Sequence, residues 1–282
     1  MLSQPLHDLA SWTRHFRSVE IPVLPTTVEE LALLKQTEDE HGNVDAQTLA
    51  LSVASDPLMT LKVLIEVESR RRSRTVTGAE TVTEAIVMMG VTPFFHAFGN
   101  QKDVMTWLGD QPPAALMGLQ RVVRRSHRAA NFALSFAIHR MDEDAVVIQE
   151  AALIHDFCEM LLWLHAPALA LRIAQIQKAD PALRSSAVQR EVLNIELQDL
   201  AQSLMQVWHL PELLQRLADD KHADHPRVRC VMLAVRLARH TQDGWGSPGA
   251  QAALPDDVAD IAALLNLSTT AAHAALLDVD RS

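Results

Sequence analysis

The stretch Ala152–His165, ALIHDFCEMLLWLH, sets a His-Asp pair, His155-Asp156, inside an otherwise apolar run. A buried charge is costly unless it is paired or bound to an ion. The pair therefore has two readings: ligands of a metal used for chemistry, or a hydrogen-bonded pair that holds helices together. The apolar spacing predicts one helix from about Asp142–Asp144, through the pair, to Pro167.

Working outward, helix signals recur along the chain. Thr27-Val28-Glu29-Glu30 has capping-box spacing, and Thr81-Val82-Thr83-Glu84 repeats it. Asp45 is a candidate cap, and Asp56-Pro57 combines an N-cap with a proline at the first helical position. Gly90 marks a stop, Thr92-Pro93 a new start, and Pro112-Pro113 opens a long helix to about Arg140. Asp180-Pro181 starts another. Further helices are predicted over Glu191–Trp208, about Pro226–His240, about Asp256–Leu265 and after Ser268 or Thr269. Only 9 of 282 residues are Gly and none is Tyr, with 48% hydrophobic residues dominated by Leu and Ala. No alternating pair of runs flanks a hairpin turn. The fold class is all-α.

The same composition excludes several function classes. No apolar run reaches the roughly 18 residues that span a bilayer, and MLSQPLHDLASWTRHF lacks the basic and apolar regions of a signal peptide. Cys158 and Cys230 are too few for a disulfide framework and are expected reduced and buried. The expected location is cytoplasmic. A net charge of −10 argues against a nucleic-acid coat and an anionic membrane surface. There is no GxxxxGK[ST], GxGxxG or Gly-x-Ser-x-Gly. No receiver, kinase or cyclase segment accompanies the helices, so the chain is expected to be a stand-alone unit or to depend on partners for its input.

Several stretches taken in order resemble HDOD domains, bacterial signalling output modules related to the HD phosphohydrolases. They are Ile21-Pro22-Val23-Leu24-Pro25, SDPLMTLKVLIEVES from Ser55, TVTEAIVMMGV from Thr81, ALIHDFCEMLL from Ala152 and LAQSLMQVWHLPELLQRL from Leu200. The resemblance covers roughly residues 15–240. It implies a two-lobed helical HDOD fold: an N-terminal lobe over 1–110 and an HD-like lobe over 111–243; beyond it the capping signals give a further helical segment over 250–282. The last follows the Gly/Pro linker Gly244-Trp245-Gly246-Ser247-Pro248-Gly249.

The HD phosphohydrolases bind one or two metals and cleave phosphoesters, which takes several converging His and Asp ligands. One His-Asp pair supplies two at most. Where the resemblance puts a first histidine before a serine, this chain has Arg125, in VVRRSHRAA. A guanidinium cannot coordinate a cation. His127 lies about 200° further round the helix. Eleven residues before Trp208 stands Leu197, and the family's His-His pair falls on Lys221-His222. His155, Asp156, Arg125, Lys221 and His222 are thus expected to mark a vestigial pocket. Arg125 or Lys221 would neutralise Asp156, and no metal or other cofactor is expected. If a metal bound at all, His155 and Asp156 would be its ligands.

Two arginine groups are the other candidates. Arg70, Arg71, Arg72 and Arg74 form a basic run, read as a solvated loop or as an anion contact. Arg121, Arg124, Arg125 and Arg128 form a stripe at i, i+3, i+4 and i+7, read as ion pairs with Asp142–Asp144 or Glu150, or as an anion or partner surface. In KHADHP, His222, Asp224 and His225 read as a solvated turn. Phe94, Phe95, Phe98 and Trp208 read as core.

The leading expectation is a non-catalytic HDOD-type regulatory protein acting on an unidentified signalling partner, with the face between the lobes as binding surface. The alternatives are an HD-type phosphohydrolase with altered ligands (His155, Asp156, His127 and His222) and a nucleotide- or RNA-binding module. A nucleotide ligand fits better than a nucleic acid, and no membrane partner is expected.

Overall fold

The structure, a computed structural model, describes residues 1–71, 79–181 and 183–281, and for Arg71 the backbone alone. Its regular elements among these residues are helical; the β-type contact is an isolated parallel bridge between Val23 and Asp103. The chain divides into two compact units, each of two segments: Met1–Gln120 with Phe157–Pro211, and Arg121–Asp156 with Glu212–Ser282. These units interleave along the chain, unlike the contiguous lobes drawn from the sequence. One boundary lies inside a long helix, so no linker composition marks it.

The first unit holds α1 (Leu9–Phe16), α2 (Pro25–His41), α3 (Ala46–Ala54), α4 (Pro57–Arg71), α5 (Val82–Met89), α6 (Val91–Phe98), α7 (Val104–Trp107) and the first turns of α8 (Pro113–His139). The second unit holds the rest of α8 and α9 (Ala145–Ile154). The chain then returns to the first unit with α10 (Phe157–His165), α11 (Pro167–Ala179), α12 (Ser185–Leu193) and α13 (Leu197–Trp208). It ends in the second with α14 (Glu212–Leu217), a 3-10 turn (Asp220–His222), α15 (Pro226–His240), α16 (Pro248–Leu265) and α17 (Thr269–Val279). No single described helix is long and apolar enough to cross a membrane.

In the first unit α1 packs on α13, α5 on α3 and α4, and α10 on α4, α11 and α13. Trp12 and Phe16 stack with centroids 5.7 Å apart, and the Trp12 indole donates to the Leu193 carbonyl at 2.9 Å. Asp56 is fully buried beneath the start of α4. Its Oδ1 accepts from the amides of Leu58 (2.8 Å) and Met59 (3.1 Å), the N-cap read from Asp-Pro. Its Oδ2 accepts from the Leu24 amide (2.7 Å) and the Thr27 hydroxyl (2.8 Å). Burial pushes this carboxyl up, against the pull of those four donors.

Thr27 is therefore no cap. Pro25 opens α2 from its first position, and the Thr27 hydroxyl serves Asp56 instead. Two other predicted boundaries also move. Asp180 is extended, as a residue before proline is pressed to be, and α12 starts only at Ser185. The predicted helix over Glu191–Trp208 is cut by Asn194, which takes a left-handed conformation at φ +65°.

In the second unit α15 is the centre, packed against α9, α14, α16 and the 3-10 turn, and α17 lies on α16. Asp142 and Asp144 pair with Arg227 rather than with the α8 stripe. The predicted linker is a built corner. Gly244 turns it at φ +99°, Ser247 caps α16 through the Ala250 amide, and the Trp245 indole donates to Asp280 at 2.6 Å. α16 thus begins well before Asp256 and carries Pro255 within it.

Candidate functional site

The predicted continuous helix through the His-Asp pair is broken at the pair. α9 stops at Ile154, His155 and Asp156 make a turn, and α10 resumes at Phe157. The break frees both side chains from a helical face and aims them into the second unit. There Arg125 from α8 meets Asp156: Nε donates to Oδ2 at 2.9 Å and Nη2 to the same oxygen at 2.5 Å. Arg239 from α15 donates to Oδ1 at 2.9 Å, and His155 Nδ1 lies 3.1 Å from Oδ1. The other ring nitrogen of His155 lies 3.2 Å from Asp220 in the 3-10 turn.

The charges explain the arrangement. Two guanidinia and an imidazole converge on Asp156, and all but Arg239 and Asp220 are buried. Burial opposes the Asp156 charge, yet Arg125 and Arg239 hold its carboxyl well below the usual carboxylate range. Burial also opposes a charged His155, but its bonds to Asp156 and Asp220 outweigh that and raise it to about 9. Geometry agrees: a ring facing a carboxylate at each nitrogen donates at both only as an imidazolium.

Of the residues singled out in the sequence, the structure brings Arg125, His155 and Asp156 together. Lys221 and His222 are exposed in the 3-10 turn; the Lys221 amide and His222 Nδ1 both turn to Asp219. Asp220, one position earlier, reaches His155 instead. Leu197 is buried in α13, and His127 is half-buried on α8. His225 caps α15 through the Arg227 amide. Sequence reasoning missed Asp220, Arg239 and the neighbouring Gln242, whose Oε1 lies 3.5 Å from Arg125 Nη1.

Arg70 is exposed and pairs with Glu66 at 2.7 Å; the Arg71 side chain, Arg72 and Arg74 lie outside the described residues. The stripe Arg121, Arg124, Arg125 and Arg128 lines one hollow of the second unit. Phe94, Phe95, Phe98 and Trp208 are buried, the Trp208 indole donating to the Arg17 carbonyl at 3.0 Å.

Residues 21–224 match the HDOD domain family. The chain belongs to the HDOD family. Among solved structures this HDOD chain is similar to the MmoQ response regulator of Methylococcus capsulatus, at 17% identity over 90% of this chain and 96% of that one, with a TM-score of 0.65. A virulence factor of Campylobacter jejuni matches at 18% identity over 92% and 87%, with a TM-score of 0.61. An HDOD domain protein of unknown function from Geobacter sulfurreducens matches at 16% over 95% and 93%, at 0.50. At such identities the likeness is one of fold. No curated protein matches the chain in sequence.

The relation of HDOD domains to HD phosphohydrolases raises the question of a metal at His155-Asp156. The residues present do not fit one. Asp156 has a guanidinium on each oxygen, and His155 spends both nitrogens on carboxylates. Among the described residues no three His, Cys, Asp or Glu side chains are grouped to share an ion.

Proposed function

We propose that this chain is a non-catalytic regulatory module of bacterial signalling, cytoplasmic, acting through contact with a partner protein. The observation that carries this reading is the Arg125 guanidinium seated on Asp156. A cation fixed where an HD enzyme needs a metal repels that metal and supplies no nucleophile. Its own charge and five donors also remove any need for the ion as a structural clamp. The HDOD match over residues 21–224 supports a signalling role at the level of the family.

The test is elemental analysis of the purified protein after incubation with manganese, iron, nickel, magnesium and zinc, with a screen of phosphomonoester and phosphodiester hydrolysis. The expected result is no stoichiometric metal and no hydrolysis above background. Stoichiometric metal that is lost in His155→Ala, with metal-dependent hydrolysis, would replace this reading with a phosphohydrolase of altered ligand set.

A further inference from the structure

In the second unit, Arg121, Arg124, Arg125 and Arg128 form one wall of a hollow of about 320 Å³. The turn Thr241–Trp245 and Asp280 close it on the other side. Four guanidinia at i, i+3, i+4 and i+7 repel one another, so the cluster costs stability as it stands.

Two of the four are locked from behind. Arg125 is held by buried Asp156. Arg128 uses Nε and Nη2 on Asp280, at 2.7 and 2.9 Å, and turns Nη2 and Nη1 to the Thr241 hydroxyl and carbonyl, at 2.8 and 3.1 Å. The outer two are not locked. Arg121 is 3.9 Å from Asp243, with both side chains more than half exposed at 58% and 61%. Arg124 is exposed and makes no hydrogen bond or ion pair among the described residues.

The lining thus carries four arginines against two aspartates, Asp243 and Asp280, in a chain of net charge −10. Asp156 already balances Arg125 and Asp280 balances Arg128, so the positive excess sits on Arg121 and Arg124, with only Asp243 near them in the lining. A concave site with that excess attracts a small anion. The volume falls within the range of about 300–1,000 Å³ typical of small-ligand pockets. The half-buried Trp245 adds an aromatic surface beside the cations, its N–H already spent on Asp280.

We infer that this hollow binds a small phosphomonoester, with Arg121 and Arg124 as the phosphate-binding side chains. Guanidinium forks match phosphate oxygens in pairs, and a phosphomonoester carries the double charge that a single carboxylate lacks. None of this uses His155 or assumes that the protein is non-catalytic.

The test is calorimetric titration of the full chain with AMP, inorganic phosphate and adenosine, at low and high salt. AMP or inorganic phosphate should bind, more tightly at low salt. Arg124→Ala and Arg121→Ala should each weaken that binding about tenfold. Both residues are exposed, so the variants should keep the wild-type circular dichroism and melting temperature. The inference is overturned if neither AMP nor phosphate binds, if adenosine binds as well as AMP, or if binding survives in the Arg121→Ala, Arg124→Ala double variant.

Discussion

Arg125 and Asp156, 31 positions apart, are joined by two hydrogen bonds from one guanidinium to one carboxylate oxygen, at 2.9 and 2.5 Å. Both side chains are over nine-tenths buried. Removing one member of such a pair leaves the other charged in a poor solvent, which typically costs about 3–5 kcal/mol. The two members are unequal. Asp156 also serves Arg239 and His155, whereas Asp156 keeps two donors when Arg125 is lost. Asp156→Ala should therefore destabilise by about 3–5 kcal/mol and Arg125→Met by clearly less. Urea unfolding of both variants and of the double variant checks this. A loss below about 0.5 kcal/mol in Asp156→Ala, the size of a surface effect, would contradict it.

The same cluster sets a pH window. His155 is raised from the ordinary 6.5 to about 9 by its two carboxylate partners, against the effect of burial. Its contribution is fully present below about 6.5, where the unfolded chain is protonated too, and is lost as pH rises through about 9. Asp156 is depressed, so its contribution is present above about 4 and is lost as pH falls below that. Stability from this cluster should be greatest between about pH 4 and 6.5. Denaturation curves at pH 6 and pH 9.5 should show the alkaline loss in the wild type and a flatter profile in His155→Gln. Equal slopes in the two proteins would remove His155 from the account.

What the sequence made legible was local. The start of α15 follows from Pro226 and that of α17 from Ser268, because a cap or a proline acts within one turn. Arg125 was found because it sits at a motif position next to Ser126. Arg239 and Asp220 were not, since their contacts span 83 and 65 positions and no spacing rule connects them. The break at His155-Asp156 was also hidden: no Gly or Pro marks it, and the pair's own need for partners decides it. Asn194 did carry a signal, its tolerance of positive φ, but the apolar periodicity on either side masked it.

Gly118 on α8 shows a second constraint, within the first unit. A β-carbon placed there would lie 2.4 Å from the ring of Trp163, which is buried at 6% exposure. Ala for Gly inside a helix is otherwise worth about 1 kcal/mol of added stability. Overpacking a close-packed site costs about 1–3 kcal/mol. The clash should win, giving a net loss of about 1 kcal/mol in Gly118→Ala, read from the melting midpoint. A rise in melting temperature would mean that Trp163 repacks freely.

Asp280 ties the end of the chain's last helix to two distant elements. Its Oδ1 and Oδ2 accept from Arg128 at 2.7 and 2.9 Å, and Oδ2 also accepts from the Trp245 indole at 2.6 Å. Partial burial raises the carboxyl, but the bonds from Arg128 and Trp245 prevail and keep it below its ordinary value. Asp280→Ala removes three charge-assisted bonds in a half-buried setting, for an expected loss of roughly 1.5–3 kcal/mol. The site should also loosen before the whole protein unfolds, because α17 packs chiefly on α16. Amide exchange should therefore accelerate across Thr269–Val279 more than in α15. Trp245 should move toward water, since its indole loses its hydrogen-bond acceptor and keeps edge contacts with Phe132 and His273 at centroid distances of 6.5 and 6.0 Å. Unchanged exchange in α17 would show that its packing on α16 suffices and that the Arg128–Asp280–Trp245 contact serves only to orient Arg128.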